Sequence, residues 1–232
     1  MSSLYPFLYS ETTDLDGVLA EVRQSTVDKV HEIVALRRTV AERDSQRMLD
    51  CATAMAECFE AGGKLFAFGN GGSSTDAADL ANLFLNPGGD DRALPAVTLT
   101  GDIAVLTALS NDISFDVVYA RQIAAFGRRR DVAVGLSTSG NSENLVRAFD
   151  EASRRGLLTV GIAGYDGGKM AELDSVDHLF VVPSASVHRI QEAQTTVYHA
   201  LWELTLNHIR ALGATEHIRD NRATHDRSWS EQ

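Results

Sequence analysis

The sequence predicts an α/β fold, a mostly parallel β-sheet with helices on both of its faces. Short apolar runs alternate with longer amphipathic segments between residues 64 and 212, and this alternation is typical of parallel sheets. Two of the apolar runs end in loops rich in glycine and hydroxyl residues, each followed by a helical pattern. The composition, 44% hydrophobic and 23% charged, is that of a globular domain with a buried core.

Two helical segments precede the first strand. The first is predicted from about residue 14 to 43, and the second from 45 to 60, where Ala61-Gly62-Gly63 ends it. Such helices can simply cover one face of the sheet. Because the first helix is long for a domain of this size, we favour a role in a subunit interface.

The first strand runs directly into a glycine-rich loop. Leu65-Phe66-Ala67-Phe68 is too short for a helix and is typical of a buried strand. Gly69-Asn70-Gly71-Gly72 follows, and its glycines let the backbone turn tightly and approach a ligand. Ser73 to Asp76 are predicted to cap the next helix. A strand, a glycine loop and a helix N-terminus predict an anion site, although an ordinary tight turn has the same pattern.

The remaining elements continue the alternation. Strands are predicted at 94–99, 131–136, 157–163 and 178–182, and helices at 103–110, 115–126, 143–155, 169–173 and 191–212. Residues after about 214 are polar and are predicted to be ordered only in part. The predicted organisation is an N-terminal helical segment at 1–63, an α/β domain at 64–212 and a polar tail at 213–232.

A second polar loop follows the strand that ends at Leu136. Ser137-Thr138-Ser139-Gly140-Asn141-Ser142 places four hydroxyls within six residues at a helix N-terminus, and such groups suit phosphate oxygens. Because parallel sheets bind ligands at the carboxyl ends of their strands, both loops are expected to face one crevice. Neither loop contains the G-K-[ST] of a nucleotide P-loop, and the chain has no G-x-G-x-x-G.

Charge and apolar patterning exclude several functional classes. The formal net charge of −11 argues against direct nucleic-acid binding. The N-terminus has no signal-peptide pattern, and no apolar run approaches the length of a membrane span. Cys51 and Cys58 are about 10 Å apart if they share a helix, which is too far for a disulfide. A cytoplasmic location is therefore expected.

Five motifs together resemble the sugar isomerase (SIS) domain family. They are GNGGS at 69–73, STSGNS at 137–142, SND at 110–112, DGGKM at 166–170 and RIQE at 189–192. The resemblance covers about residues 48–209, and the branch that it resembles most holds the phosphoheptose isomerases and the DnaA initiator-associating protein. It implies a five-stranded parallel sheet flanked by helices in a flavodoxin-like three-layer sandwich. It also implies a homotetramer with a phosphosugar site at the subunit interface.

The resemblance also implies roles for individual residues. Contacts to the sugar phosphate are implied for Asn70, Gly71, Gly72 and Ser73. The phosphate itself would be held by Ser137, Thr138, Ser139 and Ser142. Contacts to the sugar hydroxyls are implied for Asn111 and Asp112. Gln191 and His199 match a metal ligand and an acid/base residue, and their spacing of eight puts both on one face of the closing helix.

The helix after the GNGGS loop departs from the isomerase pattern. The isomerases carry a His and, four residues later, a Glu as metal ligands, and the Glu is also the proposed base. Ungapped matching from Gly69 puts Asp79 at the His position and Leu83 at the Glu position. Leucine neither accepts a proton nor binds a metal. Asp79, Gln191 and His199 would form only a weak Zn²⁺ site, so Zn²⁺ is the one cofactor left open.

Aldose–ketose isomerisation moves a proton through an enediol and needs an acid/base group, for which His199, Asp79 and Glu192 are the candidates. Two functions stay open at this point. The favoured one is isomerisation of a sugar phosphate, namely sedoheptulose 7-phosphate to D-glycero-D-manno-heptose 7-phosphate. The other is a non-catalytic phosphosugar-binding tetramer that acts as a scaffold or regulator, like the DnaA initiator-associating protein.

Overall fold

The computed structural model describes the backbone of residues 15–229 and the side chains of residues 15–212. After one long N-terminal helix, strands and helices alternate as predicted. The helices are α1 (Leu15–Glu60), α2 (Gly72–Leu85), α3 (Ile103–Asp112), α4 (Val118–Phe126), α5 (Glu143–Arg155) and α6 (Val187–Trp229), with short 3₁₀ helices at Phe115–Val117 and Gly168–Glu172. The strands are β1 (Leu65–Gly69), β2 (Ala96–Thr98), β3 (Val132–Ser137), β4 (Leu158–Gly164) and β5 (His178–Val182).

The five strands form one parallel sheet in the order β2-β1-β3-β4-β5. The chain moves outward from β1 to β2, then returns to the other side of β1 to form β3. This reversal of strand order opens a crevice at the carboxyl ends of β1 and β3. The two loops predicted to bind phosphate follow these two strands, so the topology brings them to the same place. The predicted five-stranded parallel sheet is confirmed.

Side chains of the strands alternate between two apolar cores. Leu65 and Ala67 of β1 pack with α1, α2 and α6, whereas Phe66 and Phe68 pack with α4 and α5. The sheet is therefore covered on both faces, and the predicted three-layer sandwich is confirmed. The layer formed by α1, α2 and α6 matters most for function, because α2 and α6 carry the acid/base candidates.

The N-terminal segment is one helix, α1, rather than the two helices predicted at 14–43 and 45–60. Residues 43–45 contain no Gly or Pro that would stop a helix. Asp44 is fully buried and is paired with Arg43 and Arg47 of the same helix. Both arginines also donate to carbonyl groups of the edge strand β5. This cluster anchors α1 to the sheet, and α1 shares one apolar core with α2 and α6.

The closing helix α6 is longer than predicted. It begins at Val187 rather than at 191, and its backbone continues through Gly213 to Trp229, past the end predicted at 212. Residues 1–14 of the predicted N-terminal segment and residues 230–232 of the predicted tail lie outside the described residues. Between Leu15 and Trp229, no helix is long and apolar enough to cross a membrane. Cys51 and Cys58 are free, as predicted.

Candidate active site

Helices α2 and α5 begin at the carboxyl ends of β1 and β3, and neither is capped by a side chain. Their cap positions are held by Gly71 and by Ser142, whose hydroxyl makes no capping bond. Helix α3 differs, because the Asp102 carboxylate accepts a hydrogen bond from the Val105 N–H at 3.0 Å. Uncapped N-termini leave N–H groups and the positive end of the helix dipole available to an anion. The crevice is therefore lined by two helix ends that no side chain caps.

The predicted capping of α2 by Ser73 to Asp76 is wrong. The helix begins earlier, at Gly72, because the glycines allow the chain to turn sooner; Gly71 has a φ of +56°. The Ser74 and Thr75 hydroxyls instead donate back to the carbonyl oxygens of Gly71 and Gly72, at 2.7 and 2.6 Å. Ser73 is buried, so it lines the base of the loop.

The loop at residues 137–142 is held in shape by the loop that follows β4. The Gly140 N–H donates to Ser137 Oγ at 3.0 Å, and the Met170 N–H donates to the Gly140 carbonyl oxygen at 3.0 Å. Gly140 has a φ of +66°, and a Cβ atom there would lie 1.9 Å from the carbonyl oxygen of Gly167. Buried Ser137 thus shapes the loop. The hydroxyl residues of this loop that remain partly exposed are Thr138, Ser139 and Ser142.

A reciprocal amide pair joins the two loops. Asn70 Nδ2 donates to Asn144 Oδ1, and Asn144 Nδ2 donates to Asn70 Oδ1, both at 2.9 Å. The Tyr119 hydroxyl donates to Asn70 Oδ1 at 3.0 Å and to the Gly69 carbonyl oxygen at 2.5 Å. Burial raises the pKa of Tyr119 to about 12, which keeps the hydroxyl a donor. The structure therefore gives Asn70 a role in fixing the loops relative to one another.

Polar side chains of α2 and α6 meet in two groups beside the glycine loop. In the first, Gln191 hydrogen-bonds to Asp76, and a Cβ atom built on Gly72 would lie 2.3 Å from the Gln191 amide nitrogen. In the second, Asp79 Oδ2 lies 3.7 Å from His199 Nε2. The Asp79 and His199 side chains are 51% and 40% exposed, so a substrate can reach both. The structure thus brings two of the predicted acid/base candidates together.

Asp76, which the sequence predicts only as a helix cap, is a second carboxylate in these groups. Its Oδ2 atom is buried, and the described residues give it no hydrogen-bond partner. Burial raises the pKa of Asp76, the bond from Gln191 opposes that rise, and the charge of Asp79 adds to it. The Gln191 amide is therefore held between an acidic side chain and the glycine loop.

The other predicted site residues lie elsewhere. Glu192 is exposed and paired with Arg189, which also pairs with Glu32 of α1. Asn111 and Asp112 are exposed at the C-terminal end of α3 and hydrogen-bond to each other at 2.8 Å. Their contact with sugar hydroxyls stays a prediction. Of the three acid/base candidates, the structure therefore groups Asp79 with His199 and leaves Glu192 in a surface ion pair.

A Zn²⁺ ion does not fit the donors that the structure provides. A metal would require Asp79, Gln191 and His199 to converge, but Gln191 is engaged by Asp76, whereas Asp79 is engaged by the Tyr198 hydroxyl. Leu83 packs against the apolar core and brings no donor. Among the described residues, no group of three or more His, Cys, Asp or Glu side chains could hold a metal ion. The side chains form hydrogen-bonded groups instead of a cage.

Three residues of this centre were missed because no motif marks them. Asn144 lies two residues after the second loop, and its position at the first turn of α5 was the one available signal. Tyr119 and Tyr198 lie in apolar helical patterns, where a tyrosine is typical of the core. Only the fold shows that their hydroxyls end at Asn70 and Asp79.

Comparison with known proteins agrees with the resemblance. The model of the SIS domain matches residues 30–164. The phosphoheptose isomerase of Desulfovibrio desulfuricans is 44% identical over 172 residues, which cover 73% of this chain and 80% of the relative. The phosphoheptose isomerase of Aquifex aeolicus is 39% identical over 75% of this chain and 90% of the relative. The structure of phosphoheptose isomerase from Neisseria gonorrhoeae aligns with a TM-score of 0.71 and 34% identity, over 79% of this chain and 98% of that chain.

Proposed function

The chain belongs to the SIS domain family, and we propose that it is an isomerase of the phosphoheptose type. The proposed reaction converts sedoheptulose 7-phosphate into D-glycero-D-manno-heptose 7-phosphate. One observation carries this proposal. Helix α2 begins at Gly72, beside the proposed anion site, and seven residues later it carries Asp79, which lies next to His199. At about 1.5 Å per residue, these groups are about 10 Å apart along the helix, a span that an open-chain heptose phosphate can bridge.

In this proposal the two loops hold the phosphate. The N–H groups at the start of α2 and α5 point to it, and the hydroxyls of Thr138, Ser139 and Ser142 donate to its oxygens. The reacting carbons then lie near Asp79 and His199. The Asp79 carboxylate takes the proton from C1, and the C–H electron pair forms the C1–C2 double bond. The π pair of the C2 carbonyl moves onto its oxygen, which takes a proton from His199 to complete the enediol. His199 carries the proton between the two oxygens, and Asp79 returns a proton to C2 to give the aldose.

The hydrogen bonds that Asp79 and Gln191 already make support a second part of the proposal: turnover needs no bound Zn²⁺. Asp79 and Gln191 each have a side-chain partner on the facing helix, so neither is left as an open ligand. A proton can still move between carbons, because a carboxylate and an imidazole suffice for general acid–base catalysis.

A homotetramer is the proposed assembly, with α1 in the subunit interface. Four apolar residues before α1 joins the core are more than half exposed, namely Leu15, Leu19, Val22 and Val30. A helix of 46 residues with such a stripe is suited to pack against a second copy. Light scattering on Leu19→Glu/Val22→Glu should show a smaller particle than the wild type; an unchanged mass contradicts this role. The cytoplasmic location stays a prediction.

The catalytic proposal is tested by incubating the purified chain with sedoheptulose 7-phosphate and following the aldose by NMR. Asp79→Asn and His199→Ala should each lower kcat by about 10²-fold or more, while the sugar phosphate still raises the melting temperature. Asp90→Asn, in the exposed loop before β2, is the control and should keep wild-type turnover. Unchanged turnover in both site variants contradicts the assigned roles. Binding without turnover in the wild type favours the scaffold function.

A further inference from the structure

We infer that Tyr198 is a positioning residue for the two acid/base candidates. Its hydroxyl holds the Asp79 carboxylate and its ring holds the His199 imidazole, so that the two groups keep a fixed position relative to each other. The inference rests on the proposed function and adds a residue to it.

The first contact is a hydrogen bond. The Tyr198 hydroxyl donates to Asp79 Oδ2 at 2.8 Å, and the same oxygen lies 3.7 Å from His199 Nε2. Tyr198 is only 2% exposed, whereas the Asp79 side chain is half exposed. The buried Tyr198 hydroxyl therefore restrains one oxygen of the Asp79 carboxylate, a side chain that would otherwise sample several rotamers in solvent.

The second contact is between rings. The Tyr198 and His199 rings stack with their centroids 5.1 Å apart and an interplanar angle of 28°. The Trp202 ring meets the His199 ring edge-on, with centroids 6.2 Å apart. Neighbouring residues on a helix point about 100° apart, so one carboxylate can face both Tyr198 and His199 only when it lies between them. Asp79 of the facing helix occupies that place.

The substitution at residue 83 explains why such positioning is needed. In the isomerases that this sequence resembles, the proposed catalytic base is a glutamate at this position. In this chain the position is Leu83, which packs against the apolar core. The carboxylate of Asp79 lies one turn earlier and on a shorter side chain. An acid/base group acts efficiently only when it is held within hydrogen-bond reach of the proton that it moves. The Tyr198 hydroxyl supplies the constraint that fixes the shorter side chain.

A double-mutant cycle tests this inference. Tyr198→Phe keeps the buried ring and its stacking on His199 but removes the hydroxyl, so it is expected to fold. Its kcat for sedoheptulose 7-phosphate should fall 10- to 100-fold, with KM changed less than about threefold, because phosphate binding is untouched. If Tyr198 acts through Asp79, then Tyr198→Phe/Asp79→Asn should be no slower than Asp79→Asn alone.

Thr196→Val is the matched control, an exposed hydroxyl two residues earlier on α6 that should keep wild-type kcat and KM. Wild-type kcat in Tyr198→Phe overturns the inference, and so do losses that multiply in the double variant. A rise in KM with unchanged kcat also overturns it, because that result would place Tyr198 in substrate binding. An inactive wild-type chain instead overturns the proposed function, and the inference with it, so the two failures are distinguishable.

Discussion

Asn70 and Asn144, 74 residues apart in sequence, hydrogen-bond to each other through both of their side-chain amides at 2.9 Å. Asn70 lies in the loop after β1, and Asn144 lies in the first turn of α5. Asn144 is only 2% exposed, so the pair is an internal brace rather than a surface contact. It fixes the spacing between the two helix N-termini that flank the proposed phosphate position.

This brace predicts the effect of Asn144→Leu. The change leaves the partly buried amide of Asn70 without its partner, which should lower the free energy of unfolding by about 1–3 kcal/mol. Because the two loops then lose their fixed spacing, KM for sedoheptulose 7-phosphate should rise about tenfold. A tenfold change corresponds to about 1.4 kcal/mol of binding free energy, which is of the same order as the loss in stability. Thermal melts and steady-state kinetics check both. Asn86→Ala is the control, since it removes an exposed hydrogen bond between the side-chain amides of Asn86 and Asn82. Equal effects in both variants contradict the brace.

Gly140→Ala should disrupt the second loop. The backbone at Gly140 has a positive φ, and the new methyl group would meet the carbonyl oxygen of Gly167. The loop must therefore shift, and the sugar phosphate should no longer raise the melting temperature. Gly88→Ala is the matched control, because Gly88 also has a positive φ but nothing lies near its Cβ position. This control should cost about 1 kcal/mol and keep binding. Retained binding in Gly140→Ala would contradict the loop assignment.

Asp76→Asn should make the fold more stable at neutral pH. The folded pKa of Asp76 is raised, chiefly by burial, so its contribution to stability is present below the unfolded pKa and lost as pH rises through the folded value. Asparagine keeps the shape without the charge. The melting temperature of the variant should exceed that of the wild type by about 1–4 °C at pH 7, and this difference should shrink as the pH falls toward 4. Asp90→Asn, which makes the same change in the exposed loop before β2, is the control and should keep the wild-type melting temperature at pH 7. A constant difference across this range contradicts the assignment.

Removal of metal ions should leave the enzyme active. The donors of α2 and α6 are paired with one another, so dialysis against a chelator should change kcat less than twofold, and added Zn²⁺ should not raise it. Elemental analysis of the purified chain gives the second measurement, with less than about 0.1 Zn²⁺ expected per chain. Loss of turnover on dialysis, restored by Zn²⁺, would show that the side chains rearrange into a cage.

Much of the fold follows from local pattern. The Leu65–Phe68 run and the glycines after it predict a buried strand and a tight turn, and both are present. The break predicted within α1 is wrong because Asp44, a residue typical of helix ends, is satisfied by Arg43 and Arg47. The capping role of Ser74 and Thr75 is wrong because glycine lets the helix start earlier.

The site could be predicted only where one segment carries it. Each of the two loops is a continuous stretch of sequence, so its glycine and hydroxyl residues are enough to predict it. The partnerships of Asn70 with Asn144 and of Asp79 with Tyr198 join residues that are 74 and 119 positions apart. No local pattern encodes such pairs, because they arise from the order in which the sheet brings the elements together. They decide which carboxylate is held near His199.

The most direct test of the account follows the proton itself. The chain is incubated with sedoheptulose 7-phosphate in D₂O, and NMR monitors the carbon-bound hydrogens. We expect D-glycero-D-manno-heptose 7-phosphate with deuterium at C2, and much slower labelling in Asp79→Asn. If no aldose forms and C1 of the ketose stays unlabelled, while the sugar phosphate still raises the melting temperature, the loops bind their ligand without chemistry and the isomerase assignment is contradicted.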